Sequence, residues 1–284
     1  MALVSFRESF FFRVTKLVRL WLIGLFFLIG TNSQAEMPTE HPLAPLIRFA
    51  EKRLQTFDRE VQDYTCLLVK RERINDRLRD TEHIILKLRH EQKNKGKSST
   101  PFSVYLRYLA PRDVVNREVV YVDGQNRNQM IVWRGGTRMA YITTAVSPTS
   151  ELALRWQHYP ITEIGIKTLT ERLLAMGKQE MTHNDCEVTY VEGAKINGRS
   201  CLMVQLTHPV RRPDSLYHIA RVFIDDKLKL PIRYASYSWP AEKGKDPPLI
   251  EEYSYVNIKL NAGLSNQDFD YRNPAYRFRK TFKP

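Results

Sequence analysis

The sequence predicts a mainly antiparallel α+β fold: a single incomplete, half-open β-barrel of about eleven strands, lidded by an N-terminal helix and a two-helix insertion. Three observations predict it. Apolar residues recur at helical spacing only near the start and in the middle of the chain. Elsewhere, short runs of β-formers alternate with turn signals such as Asp123-Gly124 and Asn197-Gly198, which favour hairpins and hence an antiparallel sheet. Several runs are also apolar on both faces. Leu202, Val204 and Leu206 oppose Cys201 and Met203, and Ile84, Leu86 and Leu88 oppose Ile85. A sheet wetted on one side alternates cleanly. Here both faces need cover: helices supply one, and the other is expected to curl around an apolar lumen. A core filled by its own side chains would give the same pattern.

The chain opens with Arg7, Arg13, Lys16 and Arg19, then an apolar run from Leu20 to Gly30 and small residues at Ser33 and Ala35. That order predicts an export signal over residues 1–35, cut after Ala35. The apolar run is far short of the ~20 residues that span a bilayer, so a cleaved leader is favoured over a permanent anchor. The remaining chain, residues 36–284, shows no repeat or linker and is expected to be one domain.

Leu43, Leu46, Ile47, Ala50, Leu54, Phe57 and Val61 define an amphipathic helix from about Leu43 to Gln62. Strands are predicted over Tyr64–Ile74, Arg79–His90, Phe102–Leu109, Glu118–Val122, Gln129–Arg134 and Arg138–Ile142. Glu91–Thr100 is a polar, basic loop between them. The period then changes. Helices are predicted over Ser150–Gln157 and Ile161–Met176, separated by Tyr159-Pro160 and stopped by Gly177. Five strands follow, over about Cys186–Val191, Arg199–His208, Tyr217–Ile224, Pro231–Tyr237 and Ile250–Leu260. Tyr276 and Phe278 are expected to pin the tail to the body.

The formal charge is +13, and the leader accounts for little of it. A basic exported protein favours anionic partners such as lipid headgroups, acidic glycans or a membrane surface. Nucleic acid is not expected in that compartment. Among the three cysteines, Cys186 and Cys201 form the candidate disulfide, since an oxidising compartment permits one. An Asn197-Gly198 turn, however, puts Cys201 opposite Ala194, so the bond stays open.

No HExxH, GxSxG, P-loop or GxGxxG pattern is present, and none of the seven histidines shows metal-ligand spacing. No cofactor or metal is expected. Glu251 and Glu252 are neighbours on one strand and point to opposite faces. A paired-carboxylate hydrolase would need a second acid from another strand, such as Asp225 or Asp268. Phe102, Val104, Leu106, Tyr108 and Trp133 are the candidate lumen residues, although strand aromatics equally fill cores. Lys70, Arg71, Arg73, Lys93 and Lys95 are the candidate anionic-headgroup residues, or simply a solvated edge that resists aggregation.

Several blocks of sequence occur in a specific order. They include Asp63-Tyr64-Thr65-Cys66 with Lys70-Arg71-Glu72-Arg73, and Pro101–Leu106 with Arg117–Gly124. Tyr159–Gly165, His208-Pro209, Leu249–Tyr255 and Asn261–Leu264 with Asp268-Phe269-Asp270 follow. In this order they resemble the exported bacterial family known as domain of unknown function 1571, which assigns no reaction and no catalytic residues. Phe223–Pro231 with Tyr234 is more weakly similar to the outer-membrane lipoprotein-sorting, LolA-like, fold. That resemblance implies an incomplete barrel that holds acyl chains in an apolar concavity. It places no functional arginine on one position here.

The expected function is a non-enzymatic periplasmic binding protein, monomeric, that buries a lipid or an acylated protein. One alternative is an envelope interaction protein with a filled core and a basic face for a polyanion or protein partner. A hydrolase on a β scaffold is the other.

Overall fold

A computed structural model describes residues 40–94, 97–182, 185–213, 215–242 and 244–284. The leader expected over residues 1–35 and Lys95 lie outside the described residues.

The first helix, α1 (Ala44–Glu60), carries Pro45 in its first turn, where the missing N–H costs nothing. It buries Ala44, Ile47 and Phe57 and stops at Val61, which is extended. Strands β1 (Asp63–Ile74), β2 (Arg77–Leu78), β3 (Glu82–Arg89), β4 (Gln92–Asn94), β5 (Lys97–Thr100) and β6 (Ser103–Ala110) follow. Next come β7 (Glu118–Val122), β8 (Met130–Trp133) and β9 (Thr143–Val146). A strap over residues 147–165 then holds one helical turn, α2 (Glu151–Leu154), and leads into α3 (Ile166–Glu180). The chain ends with β10 (Glu187–Ile196), β11 (Arg199–Thr207), β12 (Ile219–Asp225), β13 (Pro231–Tyr237) and β14 (Leu249–Leu260), then a tail.

Eleven of these strands form one open antiparallel sheet in the order β10-β11-β12-β13-β14-β1-β3-β6-β7-β8-β9. The sheet curves but does not close, as the half-open barrel requires. Its inner face carries the main core, in which Leu68, Leu86, Val104, Tyr121, Val204 and Val222 meet Phe57 of α1 and Ile166 of α3.

Two contacts seat α3. Its first N–H, from Ile166, has no partner within the helix and donates to the hydroxyl of the buried Tyr64, 3.0 Å away. The preceding Gly165 has φ +119, and a Cβ there would lie 2.7 Å from Leu88 Cδ1. Only glycine permits that approach.

The sequence predicts the helices and the curled face on opposite sides of the sheet; the helices instead lie on the inner, concave side. Around β6, β7 and β8 the outer face is covered by the tail. Tyr105, Val120, Val122 and Ile131 pack with Phe269 and Phe278. Tyr276 stacks on Tyr105 with ring centroids 4.1 Å apart. Strands β6, β7 and β8 therefore have two covers, the core and its helices within and an aromatic tail without.

Several boundaries differ from expectation. The strand expected over Arg79–His90 begins only at Glu82, as β3, and a separate two-residue strand, β2, precedes Arg79. The polar loop at 91–100 contains a short hairpin, β4 with β5. Arg138–Ile142 is no strand: Met139 has φ 51, and the Ile142 N–H donates to the Met139 carbonyl. The strand forms one step later, at β9. The first insertion helix shrinks to one turn, capped by the Ser150 hydroxyl, which accepts from the Ala153 N–H. Cys186 and Cys201 are free thiols. Cys201 sits opposite Ala194, whereas Cys186 just precedes Glu187, which faces Thr207 at the far end of the hairpin.

Replacing Phe278 by Ala should cost about 3–5 kcal/mol, the usual loss for a buried aromatic ring. Urea denaturation measures it. A loss below about 1 kcal/mol would show that the tail does not seal the outer face.

Candidate functional site

Between the inner face and the strap lies a cavity of about 560 Å³. Its floor is apolar, from Leu68, Ile84, Leu106, Val119, Met130 and Val132. Its roof comes from Leu152, Trp156, Ile161 and Ile164 of the strap, with Leu169 and Leu173 of α3.

The candidate lumen residues divide. Leu106 and Tyr108 line the cavity. Val104 is sealed in the core on the same face, and Phe102 packs against that core beside Tyr121. Trp133 points the other way. Met130 and Val132 face inward on β8, so Trp133 must face outward, where it packs against the cluster capped by the tail.

The candidate headgroup residues are not assembled. Lys70 is buried in the cavity wall, 3.1 Å from Glu72 and 3.3 Å from Glu82. Arg71 donates to the Arg79 carbonyl, and Arg73 donates to the carbonyls of Leu249 and Asp76. Lys93 is exposed on the hairpin and pairs with Glu91. The alternation of β1 separates Lys70 from Arg71.

One wall of the cavity holds a polar cluster that the sequence did not disclose. Glu72 of β1 stands directly opposite Glu251 of β14 in the sheet register. The Tyr253 hydroxyl lies between them, hydrogen-bonded to Glu72 and 3.3 Å from Glu251. Lys70 and the backbone N–H of His158 also donate to Glu72. Tyr159 donates to Glu251 at 3.0 Å. His158 bridges strap and sheet. Its Nδ1 lies 2.6 Å from Glu251 and its Nε2 lies 3.0 Å from the Arg73 carbonyl. An imidazolium, which donates from both ring nitrogens, matches a carboxylate on one side and a carbonyl on the other.

The electrostatics agree. Burial works to raise the Glu72 carboxyl, but Lys70, the Tyr253 hydrogen bond and His158 outweigh it and hold the group below its ordinary value. The hydrogen bond to Glu251 raises His158 above the ordinary histidine value despite partial burial. Burial alone would lower Lys70; Glu82 and Glu72 reverse that and keep it charged. A general acid at neutral pH needs a raised carboxyl. Glu72 has the opposite, and the pair is engaged by five protein donors, with the Tyr253 hydroxyl shared between the two carboxylates. The cluster as arranged is a clamp that ties the strap to the sheet. Asp225 and Asp268, the other acids considered, lie elsewhere: Asp225 binds Arg199 and a turn, Asp268 binds Lys87 and caps a short helix.

At the cavity's mouth stand three arginines from separate segments: Arg117, Arg134 and Arg155. Arg117 donates to the Arg134 carbonyl and lies over Tyr108, and Arg155 lies over Trp156. None of the three forms an ion pair among the described residues. No sequence motif could have grouped them, because they sit before β7, after β8 and in the strap.

The His158 clamp gives a signed pH dependence. A raised pKa means that its contribution is complete below about 6.5, the ordinary value, and is lost as pH climbs through the higher folded value. Hydrogen exchange of strap amides, corrected for intrinsic rate, should show loosening on the alkaline side in the wild type. That pH step should vanish in His158→Gln. A step that survives the substitution would remove His158 from the clamp.

Comparison with solved structures adds likenesses, among them the following three. A DUF1329 family protein from Desulfovibrio piger is 13% identical with a TM-score of 0.39, over 81% of this chain and 98% of that one. MucB in complex with MucA(peri) is 16% identical with a TM-score of 0.41, over 79% and 59%. The LolA superfamily protein NE2245 from Nitrosomonas europaea is 11% identical with a TM-score of 0.32, over 78% and 97%. No curated protein sequence matches the chain. A family model does match, from Val61 in front of β1 to Phe278 in the tail, and so takes in the sheet, the strap and both Glu72 and Glu251: over residues 61–278 the chain belongs to DUF1571, a family of proteins of unknown function.

Proposed function

We propose that this protein is an exported, non-enzymatic binding protein that holds the acyl chain of a lipid or of an acylated protein against the inner face of its sheet. The observation that carries this reading is the cavity itself. Its volume of about 560 Å³ falls within the ~300–1,000 Å³ typical of pockets that bury a small ligand. Its floor and most of its roof are apolar, so a flexible hydrocarbon needs no directional partner there. Each buried CH₂ contributes ~0.8 kcal/mol, so a long acyl chain supplies on the order of 10 kcal/mol before ordering costs. The leader read at residues 1–35 supports a periplasmic location, where such a ligand would otherwise face water.

The test is uptake of a fluorescent fatty acid from solution, with native mass spectrometry of protein taken from the envelope fraction. Wild-type protein should bind the probe. Val132→Trp and Leu173→Phe, which fill the cavity from floor and roof, should weaken binding by at least about ten-fold at unchanged fold, read by circular dichroism. Undiminished binding in both variants, or none by the wild type and no co-purified lipid, would overturn the reading.

A further inference from the structure

The rim of the cavity carries features that the enclosed chamber does not require. Met139, Tyr141, Leu152 and Trp156 are large apolar side chains exposed at 54%, 68%, 67% and 51%. Leu152 and Trp156 line the cavity from the strap, and so does Ile142, next to Tyr141. Met139 reaches back to the rim through its sulfur, 3.7 Å from Arg134 Nη1. These residues come from two separate segments, the β8–β9 connection and the strap, and meet around one opening.

Basic groups stand among them. Arg134 and Arg155 are exposed, and Arg117 is half-buried between them and the floor. Arg79 lies over the Trp156 ring at 4.6 Å. Its carboxylate neighbour, Asp113, is 3.9 Å away. The rim thus combines aromatic and aliphatic groups open to water with guanidinium groups that have few counter-charges. Neither half is explained by folding. Exposed apolar side chains gain nothing in water, and unpaired arginines repel one another at close range.

We propose that this rim docks on the surface of an anionic lipid bilayer, with the mouth of the cavity facing the membrane. Arg117, Arg134 and Arg155 meet the acidic headgroups, while Met139, Tyr141, Leu152 and Trp156 enter the boundary between headgroups and acyl chains. This pairing of basic and amphipathic groups is the chemistry of interfacial attachment. The inference rests on the acyl-binding reading for its purpose, since a docked mouth lets a chain pass from bilayer to cavity without crossing water. The docking itself is physically independent of what the cavity holds.

The test uses protein expressed from the full sequence and purified as the cell processes it. Binding is measured by co-sedimentation with vesicles of phosphatidylglycerol and phosphatidylethanolamine, and with vesicles of neutral phosphatidylcholine. The wild type should bind the anionic vesicles and release at high salt. Two variants probe the rim without touching the floor: Met139→Ser with Tyr141→Ser, and Arg134→Glu with Arg155→Glu. Each should weaken anionic-vesicle binding by at least about ten-fold. Lys195→Glu with Lys227→Glu makes the same charge change in the other half of the sheet, near the end of β10 and in the turn after β12, and should bind as the wild type does. Equal losses in that control would mean general charge attraction and would overturn the proposal, as would undiminished binding in both rim variants. Fatty-acid uptake is followed in parallel. Rim variants that lose vesicles but retain uptake support docking as a separate function. A protein that binds anionic vesicles through its rim yet takes up no fatty acid keeps the docking surface and fails the acyl-binding reading alone.

Discussion

The pairing of the first long strand with the last is the constraint on which the remaining structure depends. β1 and β14 run antiparallel from Tyr64 opposite Leu260 to Glu72 opposite Glu251, and they lie in the middle of the sheet. Bringing them together closes a loop of most of the chain, which is costly in entropy and slow to form. A buried acid secures the seam. Asp63 accepts from the backbone N–H groups of Gly263 and Leu264, while Asn261 bonds the backbone of Gln62 and Glu60. Because α1 immediately precedes β1 and the tail immediately follows β14, this one pairing sends a helix to the inner face and an aromatic tail to the outer face.

What the sequence disclosed follows from the reach of its signals. The spacing from Leu43 to Val61 is local, and α1 lies within one or two residues of its expected ends. The runs of β-formers at Pro231–Tyr237 and Glu118–Val122 are likewise local, and both strands have the bounds expected of them. Which face a strand residue takes is a matter of parity, and a shift of one position inverts it. Leu106 and Tyr108 share parity with Val104, so they were legible as a group. Trp133 belongs to another strand, and its parity relative to that group depends on register across β6, β7 and β8. The tail's role was half visible: Tyr276 and Phe278 announced an anchor, but nothing local said that it would cover the outer face of the sheet.

The polar cluster was illegible for the same reason. Glu72 sits in a basic run and reads as its lone acid, while Glu251 reads as one of two adjacent acids. Only the β1–β14 register makes them neighbours, and only the strap's path over the sheet adds His158 and Tyr159. Burying so many charged groups carries a desolvation penalty that their mutual attraction offsets only with good geometry. Apolar residues of similar volume would often be no less stable. What the charged set supplies in their place is a defined position: five donors on two carboxylates admit few alternative arrangements of the strap.

That fixed position has a consequence for the cavity's polarity. The wall formed by Lys70, Glu72 and Glu251 is engaged by its own partners, and its carboxylates repel an anionic group. An acidic headgroup therefore gains little by entering toward that wall and loses hydration in doing so. The mouth is the converse, with Arg117, Arg134 and Arg155 unpaired by carboxylates among the described residues and the last two open to water. For the acyl ligand proposed above, hydrocarbon inward and anion outward is the orientation that would satisfy both ends. A hydrocarbon turned toward the mouth would leave its apolar length in water and its charge beside two buried carboxylates. The internal saturation of the clamp and the unsatisfied charge of the rim thus act together, giving a chamber with no directional bonds along its length a single sense of entry.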